Sequence, residues 1–158
     1  MVTKVRAAML TRGNDKLGKG IWHFSLEAGV TCPGKTEACS KVCYANRNTF
    51  VYPNVVKRYK LNLRRSKTKL FASRVIAFLR SRAIETVRIH SSGDFYSYAY
   101  IMKWYKIVKS SPDTQFYAYT RSWRKVDEVT QAMREALRKL AGLPNMQLWL
   151  SCDKDSGR

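Results

Sequence analysis

Thr86-Val87-Arg88-Ile89-His90-Ser91-Ser92-Gly93-Asp94-Phe95 is the stretch whose reading decides the fold. Val87 and Ile89 share one side and Arg88 and His90 the other, the period-two alternation of a β-strand. Ser-Ser-Gly-Asp then ends the strand with turn-forming residues. From Tyr98 to Ser110 apolar residues return at helical spacing, until Pro112 stops them. Strand, loop and helix are half of a βαβ unit, and the succession recurs on both sides. Upstream, Ile21–Leu26 alternates, and Val56, Tyr59, Leu63, Leu70, Val75, Phe78 and Leu79 mark a helical stripe interrupted near Ser66–Thr68. Downstream come a strand at Gln115–Tyr119, a helix over Val126–Ala141 stopped by Gly142 and Pro144, and a strand at Met146–Ser151.

The order predicts an α/β fold, βαβαβαβ, with parallel pairing and a cysteine-bearing loop after strand one. Residues 1–158 read as a single α/β domain. Each strand has a plainly apolar face: Trp22, Phe24 and Leu26; Val87 and Ile89; Phe116 and Ala118; Met146, Leu148 and Leu150. The opposite face is polar or aromatic, with His23, Arg88, His90, Tyr117, Tyr119 and Trp149. A doubly wound sheet needs two apolar faces. This parity instead predicts a curved parallel sheet like a partial TIM barrel, with a polar lumen; a mixed aromatic core is the alternative.

Thirty Lys and Arg against eleven Asp and Glu give a formal charge of +19, which attracts polyanions. Residues 54–82 hold many of the cations and no acid, with Arg64, Arg65, Lys67 and Lys69 the candidates for a non-specific nucleic-acid contact. A solvated helix face is the plainer reading of the same run. Apolar runs are short and broken by Lys or Arg, so no membrane span is expected. Met1–Arg6 lacks the apolar stretch of a signal peptide, which points to the cytoplasm.

Parallel α/β sheets bind ligands at the carboxyl ends of their strands. There the chain places its unusual segments: Cys32, Cys39 and Cys43 after strand one, Ser91–Phe95 after strand two, Thr120–Trp123 after strand three, and Cys152-Asp153 after strand four. Three thiols spaced C-x6-C-x3-C among Pro, Gly, Lys and Ser suit a metal better than a core or a disulfide framework. The spacing lacks the C-x2-C knuckle of zinc ribbons, so an iron–sulfur cluster is expected, with zinc as the alternative and Cys152 as a candidate fourth ligand.

The loop closing in Cys43-Tyr44-Ala45 resembles the cluster loop of radical S-adenosylmethionine enzymes, particularly spore-photoproduct-lyase-like ones, although those use C-x3-C-x2-C. That resemblance implies a [4Fe–4S] cluster on Cys32, Cys39 and Cys43. It also implies S-adenosylmethionine held through Ser92, Gly93 and Asp94, and radical chemistry inside a lumen. A closer resemblance is to the phage gene product 88 family. It rests on Cys43-Tyr44-Ala45, Arg88–Phe95, Phe116–Ser122 and Leu150–Asp153. It implies a phage protein in the host cytoplasm, shortened at its C-terminus relative to longer relatives.

Among single residues, His90, Asp94 and Arg121 are the candidates for catalysis. Each has a plainer role: an interior histidine, a cap for a helix beginning near Tyr96, a solvent-facing cation. Tyr117, Tyr119, Trp123 and Trp149 could stack a base or fill a core. Three functions follow. The first is a cluster-bearing enzyme acting on nucleic acid or a nucleotide, completed by further chain or an oligomer. The second is a nucleic-acid-binding protein with a structural four-cysteine site. The third is a phage interaction protein with neither property.

Overall fold

The computed structural model describes residues 8–13, 16–18 and 20–156. Its elements run β1 (Thr11–Arg12), β2 (Ile21–Phe24), α1 (Glu37–Lys41), two 3-10 turns (Tyr44–Asn46 and Asn48–Val51), α2 (Pro53–Lys67), α3 (Phe71–Ser81), β3 (Thr86–Ile89), α4 (Tyr98–Lys109), β4 (Gln115–Thr120), α5 (Gln131–Ala141) and β5 (Met146–Leu150). The strands form one sheet in the order β1-β2-β3-β4-β5. β2, β3, β4 and β5 pair in parallel, as the alternation predicts. Added to them is β1, antiparallel to β2, which two residues of sequence could not announce. The sheet is open, with β1 and β5 as its edges.

Phe24, Val87, Ile89, Phe116 and Ala118 lie beneath the helices and are fully buried. The Phe24 ring is 5.2 Å from Phe71 of α3 and 5.7 Å from Trp104 of α4. The other parity is much less covered toward β5, where Tyr119 is 48% and Trp149 55% exposed. The interruption expected near Ser66–Thr68 is present: α2 ends at Lys67 and Thr68 is extended.

Two expectations need correction. α5 begins at Gln131 rather than Val126, because Thr130 caps it by accepting the Met133 N–H at 3.2 Å. Val126 and Val129 pack on the core from the preceding turn and so imitate helical spacing. His90 leaves the strand's alternation through a left-handed backbone (φ 67). Its ring packs 4.7 Å from Phe95 and 5.7 Å from Tyr100 of α4.

Candidate metal centre

The carboxyl ends of β2 and β3 are zipped together past their last paired residues. His90 N–H donates to Phe24 O at 2.8 Å, Leu26 N–H to Ser92 O at 2.9 Å, and the Ser92 hydroxyl to Leu26 O at 2.8 Å. The cysteine loop leaves from this seam and is pressed against it. Gly93 has φ 82, and a Cβ there would lie 2.6 Å from Thr31 Oγ1 and 2.7 Å from Leu26 Cβ. Only glycine combines that backbone with that approach. At Gly34 a Cβ would sit 2.0 Å from the Arg121 carbonyl oxygen, so the loop also abuts the exit of β4.

Asp94 ties β3 to β4. Its Oδ1 accepts from the Phe95 N–H at 2.7 Å and the Thr120 hydroxyl at 2.6 Å, and its Oδ2 from the Arg121 N–H at 2.8 Å. The helix cap expected of it belongs to Ser97, whose hydroxyl accepts from the Tyr100 N–H as α4 begins at Tyr98. The last described residues hold the loop from above. Thr36 caps α1 and donates to Asp153 Oδ2 at 2.7 Å, and Arg121 meets the same oxygen at 2.7 Å. Arg124 donates to the carbonyls of Gly34 at 3.0 Å and Lys35 at 3.1 Å.

These contacts enclose a cavity of about 450 Å³ whose lining includes Cys32, Cys39, Cys43, Asp94, Arg121 and His90. The three loop thiols therefore share one space at the rim, with Ser92 and Gly93 beside them. Cys152 follows β5 at the same rim but is exposed, its thiol 3.8 Å from Leu150 O, while its neighbours Ser151 and Asp153 line the cavity. Among the described residues no three His, Cys, Asp or Glu side chains are grouped closely enough to hold a single ion. All three thiol-bearing residues of the loop border this one cavity.

Burial pushes the Cys32 thiol up to about 12, helped by Asp94 and by Cys39 and Cys43. Burial lifts Asp94 to about 6 against the pull of its hydrogen bonds. Burial, then Arg88, depresses His90 to about 3, so the ring is neutral; one nitrogen, Nε2, meets Tyr100 Oη at 2.8 Å. His90 Nδ1 and Arg88 Nε are buried without a partner, and both residues line the cavity.

The basic set divides. Lys57, Lys60, Arg64 and Lys67 form one exposed stripe along α2, and Lys69 is exposed beyond it. Arg65 is turned inward instead and donates to Ala8 O at 3.2 Å. Arg124 and Thr36 carry no mark in the sequence, since their partners are backbone atoms and a carboxylate brought near only by folding.

Fold and site together define an open, mostly parallel α/β sheet with a thiol-lined cavity at its carboxyl rim. The sequence profile of the family described as Gene product 88 matches residues 8–158, and the chain belongs to that family. It is 32% identical over 139 residues to the Gene 88 protein of Mycobacterium phage D29, covering 81% of this chain and 54% of that protein. To the Gene 88 protein of Mycobacterium phage L5 it is 33% identical over 98 residues, covering 55% and 41%. The chain thus spans about half the length of the curated relatives it matches. No solved structure matches it. Among the described residues no helix is long and apolar enough to cross a membrane.

Proposed function

We propose that this protein holds an iron–sulfur cluster of the [4Fe–4S] kind through Cys32, Cys39 and Cys43, and acts with S-adenosylmethionine on nucleic acid or a nucleotide. The observation that carries the reading is the cavity itself, lined by three thiols and also by Ser92, Gly93, Asp94 and Arg121. Three loop thiols bordering one cavity suit a polynuclear group, in which each thiolate binds a different iron, and their C-x6-C-x3-C spacing lacks the knuckle of common zinc sites. A reduced cluster held by Cys32, Cys39 and Cys43 would supply the electron for cleavage of S-adenosylmethionine.

The chain's own residues set the scene for that chemistry. Gly93 gives the loop its close seat on the strand ends, and Asp94 keeps the exits of β3 and β4 together while facing the cavity. His90, neutral and strained, offers Nδ1 as an uncommitted hydrogen-bonding atom. Arg121 supplies a guanidinium for an anionic group, held in place by Asp153. The uncovered parity of the sheet corresponds in this reading to the lumen of a partial barrel, which further chain would complete. The surplus of +19 favours a polyanionic substrate.

A second reading, a closed four-thiolate site of zinc or cluster in a nucleic-acid-binding protein, is favoured by one observation. Cys152 lies between two cavity-lining residues, Ser151 and Asp153. Electron paramagnetic resonance of the reduced, anaerobically reconstituted protein separates the two. The proposal expects Cys152→Ser to retain the cluster signal and S-adenosylmethionine to perturb it. Loss of metal in Cys152→Ser, with a wild type indifferent to S-adenosylmethionine, would establish the closed site.

A further inference from the structure

Parallel register sets Tyr119 of β4 directly beside Trp149 of β5. Their rings are 48% and 55% exposed, large aromatic surface that the described chain leaves uncovered. Tyr117 stands 6.3 Å from Tyr119 at an interplanar angle of 89°, and the Arg88 guanidinium lies 5.6 Å from the Tyr119 ring. Arg88 and Tyr119 also line the thiol cavity, so the aromatic strip leads into it. The strip's open-face positions, Arg88, Tyr117, Tyr119, Gln147 and Trp149, include no carboxylate.

We infer that this face is a stacking platform for single-stranded nucleic acid, delivering an unpaired base toward the cavity; the inference rests on the nucleic-acid part of the reading above. An unpaired base offers its π-face to Trp or Tyr, whereas in a duplex those faces are already stacked on one another. Arg88 adds a positive charge beside the Tyr119 ring, which favours an anionic strand at this end of the strip. A second copy of this chain is a poor occupant, because two surfaces of a +19 protein repel each other. Duplex nucleic acid would meet only phosphate-seeking cations such as the exposed stripe of α2.

Fluorescence anisotropy tests this with labelled oligothymidylate, oligouridylate and a blunt DNA duplex of the same length. Trp149→Ala should weaken single-strand binding about tenfold and leave duplex binding and the salt dependence unchanged. Trp149→Phe should restore it. Replacing Lys57, Lys60, Arg64 and Lys67 with Gln should weaken both ligands and flatten the salt dependence. Equal loss for both ligands in Trp149→Ala, no loss at all, or a dimer in sedimentation that Trp149→Ala dissolves would each overturn the platform. Iron is assayed in the same samples. Iron-free protein that still prefers single strands contradicts the cluster and supports the platform, and iron-loaded protein without that preference does the reverse.

Discussion

Phe116 and Tyr117 are neighbours in β4, as are Ala118 and Tyr119, yet each pair is split between two environments. Phe116 and Ala118 are sealed under the helices, while Tyr119 is 48% exposed on the other side. The same division runs through β3, where Val87 and Ile89 are fully buried and Arg88 borders the cavity. One parity of the sheet carries stability. The other leaves rings exposed and, with the rim above it, borders the cavity. The costly features collect at the rim, around the cavity: a left-handed histidine, a buried carboxylate and a buried thiol.

Substitutions on the covered face should have the largest effect. Trp104→Ala or Phe116→Ala removes a fully buried ring and should cost roughly 3–5 kcal/mol, read from the denaturation midpoint. A cost near zero would mean that this face is not the core.

Next in size is the pH dependence of the metal-free protein. Burial with Arg88 and Arg58 lowers His23 to about 4, and burial with Arg88 lowers His90 to about 3, from an ordinary 6.5. Above about 6.5 neither state protonates these rings and their contribution is complete. Below it the unfolded chain binds two protons that the folded chain refuses, so stability falls by roughly 1.4 kcal/mol per pH unit for each ring. Asp94, raised to about 6, opposes this between about 6 and 4, because there the folded carboxyl binds the extra proton. Two rings outweigh one carboxyl. The denaturation midpoint should drop as pH falls through that window, and a rising midpoint would contradict the burial of the histidines.

Asp94→Asn comes third. The amide replaces one acceptor oxygen with a donor facing an N–H or a hydroxyl, at a cost of roughly 1–3 kcal/mol. The loosened rim should also speed alkylation of Cys32 in metal-free protein, which is otherwise far slower than alkylation of the exposed Cys152. Unchanged alkylation would mean that Asp94 does not hold the loop. The smallest stability effect belongs to Trp149→Ala, within about 0.5 kcal/mol, because its ring leaves a largely solvated surface. A larger loss would make the open face structural.

Much of the covered face could be read in advance. Alternation in residues 21–26, 86–90, 115–119 and 146–151 located four parallel strands to within one or two residues, because burial on one face leaves a period-two trace. The break between α2 and α3 was equally legible. The rim was legible only by residue type: three cysteines in a polar loop, and a Ser-Gly-Asp after a strand. Its geometry was not, for a physical reason. Asp94 finds its partners at Thr120 and Arg121, Gly34 meets the carbonyl of Arg121, and Arg124 reaches back to the loop. Such contacts across distant segments leave no local period. His90 is the interior, hydrogen-bonded histidine of the plainer reading and also borders the cavity, but its contacts with Phe95 and Tyr100 follow from a left-handed backbone that alternation does not carry.

Iron, acid-labile sulfide and zinc per chain, measured on protein prepared anaerobically from cells supplied with both metals, test the central claim most directly. The account predicts iron and sulfide in equal amounts, about four of each for a [4Fe–4S] cluster. Both should be lost in Cys32→Ala, Cys39→Ala and Cys43→Ala, with folding retained. Stoichiometric zinc without iron, or iron that survives all three substitutions, would contradict it.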